Sequence, residues 1–69
     1  MSGVRQNPDP ELGEVLFEFL TIGNAVKVSA VHVATNTEVS IMGAPTMSEY
    51  TLKANVLRKL RAALARGAG

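Results

Sequence analysis

The chain has 69 residues, seven Lys and Arg against six Asp and Glu for a net charge of +1, and no cysteine. A chain of this length forms one small domain whose single core yields only a few kcal/mol of net stability. Without thiols it has neither disulfide staples nor thiolate metal sites, which leaves self-association as the route to further stability. The near-neutral balance gives no global attraction to nucleic acid or to an anionic membrane.

Residues 1–12 (MSGVRQNPDPEL) are polar, contain Pro8 and Pro10 and show no periodicity, so a disordered lead is expected. The first strand is predicted over Glu14 to Ile22, where Val15, Phe17 and Phe19 alternate with Glu14, Leu16, Glu18 and Leu20 at the period that separates sheet faces. Gly23 and Asn24 both tolerate positive φ and supply a two-residue turn into a second strand from Ala25 to about Val33. That turn sets the register: Phe19 faces Val28, Phe17 faces Ala30, and Leu20 faces Lys27. One face thereby gathers Val15, Phe17, Phe19, Val26, Val28 and Ala30 as a core.

The alternation breaks at Ser29 and Ala30, because Val31 and Val33 have the opposite parity. Either a β-bulge re-aims the strand, or His32 points inward and the two valines point out. A two-residue loop at Thr35-Asn36 would place β-branched Thr35 at positive φ, whereas a three-residue loop needs only a left-handed Asn36. The three-residue loop pairs Val31 with Val39. It favours the bulge, with Val31, Val33, Val39 and Ile41 in the core and His32 in solvent.

The third strand, Glu38 to Met42, ends at Gly43-Ala44-Pro45. A helix is predicted over residues 47–66, opened by a Thr46/Glu49 capping box with Pro45 stapled against Tyr50 and stopped by Gly67. At 100° per residue Tyr50, Leu52, Val56, Leu57, Leu60, Ala63 and Leu64 share one arc of roughly 160°, with Lys53 inside it and able to snorkel. Arg58, Lys59, Arg61 and Arg66 fall on the opposite side. The expected fold is therefore α+β, a three-stranded antiparallel meander followed by one C-terminal helix packed on one sheet face. Residues 13–66 form that single domain, and 67–69 a tail.

One helix covers one sheet face. The other would present Leu16, Leu20, Ile22 and Met42 among Glu14, Glu18, Lys27 and Ser29, and an apolar patch of that kind on so small a protein marks an interface. A homodimer, or a complex with another protein, is expected through that face or through the edge of the first or third strand. No apolar run approaches the roughly 18 residues of a membrane helix, and no charged segment precedes an apolar one at the N-terminus, so a cytoplasmic protein is expected.

Catalytic motifs are weak. Glu14 and Glu18 share a strand face but stand about 13 Å apart, beyond the reach of paired glycosidase carboxylates. His32 has no Ser, Cys or second His at a meaningful spacing, and Ser40 and Ser48 lack a nucleophile-elbow context. Gly43-Ala44-Pro45-Thr46 opens a helix without the glycine pattern of a phosphate loop. No catalytic residue, metal, cofactor or small-molecule substrate is assigned, and a non-enzymatic interaction module is expected. The alternative is a weak nucleic-acid binder using Arg58, Lys59, Arg61 and Arg66. The strand order resembles double-stranded RNA-binding domains without their first helix, but Met47, Ser48 and Glu49 stand where those domains carry lysines.

The runs Glu14-Val15-Leu16-Phe17-Glu18-Phe19, Val26-Lys27-Val28-Ser29-Ala30 and Ala34-Thr35-Asn36-Thr37-Glu38-Val39-Ser40, followed by a helix containing Leu57-Arg58-Lys59-Leu60, are similar to small alphaproteobacterial proteins of unknown function. Related chains tend to carry glycine in place of Asn36, in keeping with a left-handed residue there. The resemblance implies a single βββα domain and brings no activity and no site residues.

Overall fold

The structure, a computed structural model, describes residues 2–67, with side chains from Asp9 onward. Its elements are β1 (Ser2–Asp9), β2 (Gly13–Ile22), β3 (Ala25–His32), β4 (Thr37–Gly43) and α1 (Glu49–Ala65). The strands form one antiparallel sheet in the order β1-β2-β3-β4. The expected meander and helix are thus present as β2, β3, β4 and α1, and a strand precedes them. The segment expected to be a disordered lead pairs with β2 from Ser2↔Leu20 to Asp9↔Gly13. Met1 and residues 68–69, the end of the expected tail, lie outside the described residues.

Backbone bonding explains how so poor a strand former is held. The Glu14 carbonyl accepts from the Val33 amide, so the even-numbered residues of β2 direct their polar groups at β3 and the odd-numbered ones at β1. Pro8, opposite Glu14, therefore turns its missing N–H toward the free edge, where an edge strand tolerates proline.

Across the Gly23-Asn24 turn the observed pairs are Phe17↔Ala30, Phe19↔Val28 and Leu20↔Lys27, the register expected from the turn. The next hairpin departs from expectation. His32 pairs with Thr37, Val31 with Glu38 and Ala30 with Val39, with four residues in the loop and no bulge. Asn36 is left-handed as expected, at φ 58°. An even-numbered loop preserves the strand's parity, so His32 is buried, Val31 lies half-buried on the outer face and Val33 is exposed.

The inner face carries Val15 and Phe17 of β2 with Val28 and Ala30 of β3, closed by Leu52, Val56 and Leu60 of α1. Phe19, Val26, Val39, Ile41, Leu57 and Leu64 pack around them. The helix begins later than expected. Ser48 is its N-cap, accepting from the Thr51 amide at 3.1 Å, in place of Thr46. Met47, just before the cap, and Leu52, four residues past it, both belong to the core, so the hydrophobic staple uses that pair; Tyr50 is 83% exposed. Gly67 ends the helix at φ 72° with its amide on the Leu64 carbonyl.

Candidate interaction surfaces

Three parts of the molecule carry chemistry worth weighing: the outer sheet face, the helix with its flanking groove, and the end of the sheet around His32.

The outer face is set by strand parity. Residues opposite one another across the ladder make rows: Leu16, Val31 and Glu38; then Glu18, Ser29 and Ser40; then Leu20, Lys27 and Met42, with Ile22 beyond. Leu20, Ile22 and Met42 are 37%, 48% and 58% exposed and cluster at the end near the Gly23 turn. Leu16 and Val31 are half-buried and form a second apolar spot two rows away, beside a small hollow of about 180 Å³. Ser29 and Ser40 lie between them, their hydroxyls 3.0 Å apart. The four residues expected as contacts share one face, though Leu16 stands apart from the other three.

The two edges offered as alternative contacts look different. The edge of β2 is occupied by β1. On β4 the Ser40 carbonyl points outward and accepts from Lys59 Nζ at 2.7 Å, so a lysine covers part of that edge.

The same contact removes Lys59 from a purely solvated basic face. Arg61 is also engaged, 3.0 Å from Asp9 Oδ2 and 3.5 Å from Glu11 Oε1. Arg58 donates to Asn55, and Arg66 forms the helix C-cap. Asp9 is well anchored: its Oδ1 accepts from the Glu11 and Leu12 amides at 2.8 and 3.0 Å. Those two N–H groups, with the Arg61 guanidinium adding, hold its carboxyl below the ordinary 3.8.

Beside the helix lies a groove of about 530 Å³ lined by Asp9, Val15, Phe17, Tyr50, Lys53 and Leu57. It lies where α1, packed over β4 and β3, gives way to β2, whose Val15 and Phe17 are buried at its floor. Lys53 arches over it with its ammonium 5.2 Å from the Phe17 ring centroid, the snorkelling expected of a lysine in an apolar arc.

His32 joins two loops. Its Nε2 lies 2.7 Å from the Leu12 carbonyl, which only accepts, so Nε2 carries the ring proton. Nδ1 is 2.7 Å from Thr35 Oγ1, which is 2.8 Å from Thr37 Oγ1. In the neutral ring the proton order is Thr37 to Thr35 to Nδ1, with Nε2–H to Leu12. Both nitrogens are committed to turn architecture. Among the described residues no group of three or more His, Cys, Asp or Glu could hold a metal ion, and no helix is long and apolar enough to cross a membrane.

No curated protein and no solved structure matches this chain. A family model described as a domain of unknown function, DUF6898, matches residues 12–67, which takes in β2, β3, β4 and α1 and leaves out β1. The chain belongs to the DUF6898 family.

Proposed function

We propose that this protein is a non-catalytic interaction module that self-associates through the outer face of its sheet. The observation that carries this is the outer face, which no described residue covers and on which Leu20, Ile22 and Met42 stand exposed, opposite the face that α1 packs on. Four strands about 4.8 Å apart and about eight residues long present roughly 500 Å² per copy. Two such faces in contact would bury about 1,000 Å², the lower end of specific interfaces. The fourth strand enlarges that face by about a third over a three-stranded sheet.

A pair of such faces joins apolar ends around a polar middle of Glu18, Ser29 and Ser40, which suits a modest, reversible dimer. Light scattering and NMR linewidths across concentration test it, with Leu20→Glu and Met42→Glu as interface variants. The expected result is a dimer at high concentration that both variants dissociate without loss of helix signal. A strict monomer at millimolar concentration, or a dimer indifferent to both variants, overturns it.

A further inference from the structure

A described segment outside the family domain is seated along the edge of β2, with Asp9 and Glu11 also reaching Arg61. The shared unit, residues 12–67, has β2 as its open edge; here residues 2–9 close it. Eight pairs hold β1 to β2, and Asp9 adds an ion pair to Arg61 of the helix. The groove floored by Val15 and Phe17 lies just inside this edge.

The connection is a hinge by construction. Asp9 and Gly13 pair, leaving Pro10, Glu11 and Leu12 as a three-residue loop. Gly13 closes it at φ 81°, a conformation that favours glycine, while a Cβ there would meet nothing within 4 Å. An extended hinge would not need that positive φ. The closed loop therefore depends on one glycine for conformational reasons alone.

We propose that the β2 edge is an acceptor for an extended strand and that its second occupant is residues 2–9 of another copy, giving a strand-exchanged dimer. This segment is the sequence shown to fit the edge in register, and exchange keeps every one of its ladder pairs. The exchanged and closed forms then differ in hinge conformation, in the bonds that Asp9 and His32 make to Glu11 and Leu12, and in concentration. A strand tethered by so short a loop has an effective concentration of about millimolar, so exchange with the natural hinge becomes even with closure near that value. Replacing Gly13 by Val penalises the closed hinge about tenfold, hence about a hundredfold in a dimer with two hinges, and brings the midpoint near 10 μM. This route to a dimer is independent of the outer face.

Val4 and Glu18 are paired opposite one another, and because even residues of β2 bond to β3 they are a non-hydrogen-bonded pair, the closer kind. The chain has no cysteine, so Val4→Cys combined with Glu18→Cys reports which chain supplies the strand. Full-length ¹⁴N and ¹⁵N chains bearing both changes are mixed reduced at 10 μM and 1 mM, oxidised, and mapped by mass spectrometry. The expected result at 10 μM is a disulfide joining the two introduced thiols, one on β1 and one on β2, within a single chain. At 1 mM the same β1-to-β2 disulfide is expected between chains of different label, and with Gly13→Val it is expected between chains already at 10 μM. Links within one chain alone at 1 mM overturn the proposal. So do mixed-label dimers joined only through the β2 thiols of both chains, which would support outer-face contact instead. Should Gly13→Val fail to fold by circular dichroism, the natural hinge at 1 mM decides.

Discussion

Replacing His32 by Ala separates the observed sheet from the bulged one the sequence favours. With His32 buried and both ring nitrogens bonded, the substitution strands the Leu12 carbonyl and empties the volume of the ring. The lost bond to a half-buried carbonyl costs about 1–2 kcal/mol, and the partly collapsing cavity about 1–2 kcal/mol more. Thr35 adds little, because it is exposed and its hydroxyl turns to water. The total is about 2–4 kcal/mol, comparable to the few kcal/mol of the whole domain, so the variant is expected to be largely unfolded or to melt at very low urea. A solvent-facing histidine would give less than about 0.5 kcal/mol. Urea titration followed by circular dichroism measures the difference, and a midpoint within about 0.5 M of the parent's would refute the buried, bridging His32.

Asp9 contributes on the acid limb. Its carboxyl is held below 3.8, so its stabilisation is present above that value and is lost as pH falls through the lower folded pKa. Urea midpoints taken from pH 5 down to pH 2.5 should therefore fall more steeply for the parent than for Asp9→Asn, and parallel profiles would contradict the anchoring role. At Gly43 an added Cβ would run into the buried Leu52 side chain, so Gly43→Ala is expected to destabilise by about 1–3 kcal/mol in the same assay. Titration with RNA at varied salt examines the helix. If only Arg58 and Arg66 reach phosphates, the slope of log K against log salt is no steeper than about −2, whereas about −3 to −4 would mean that Lys59 and Arg61 leave their partners.

Most of the meander is legible in the sequence because local chemistry fixes it. Gly23-Asn24 admits one tight turn, and that turn alone sets every pair from Val15↔His32 to Ile22↔Ala25. The second loop misleads because the competing bond partners are distant. His32 is satisfied by Leu12, twenty positions away, and by a threonine relay, so a polar pair, His32 and Thr37, closes the end of the inner face in place of Val31 and Val33. β1 is invisible for a different reason. Its sequence holds one β-branched residue, a glycine and a proline, and its order comes from the open edge of β2. Tyr50 shares the helical arc of Leu57 but projects beyond the two strands that α1 covers, so periodicity alone puts it in a core that does not extend that far.

That limit on coverage shapes both candidate surfaces. A helix about 10 Å across spans about two strands at 4.8 Å spacing. α1 lies on β3 and β4, so every strand added on the far side lengthens the inner face without lengthening its cover. The result is the groove beside Phe17, where the arch of Lys53 adds to the apolar packing that buries the ring. Over the outer face the described residues place no second layer, and strand parity alone decides what is shown. Four strands and one helix hold about three quarters of those residues, and under the proposed self-association another copy of the same sheet covers the remaining apolar surface. Shortening the helix at its C-terminus should then destabilise the monomer while leaving the outer-face association constant unchanged, since no residue of α1 lies on that face.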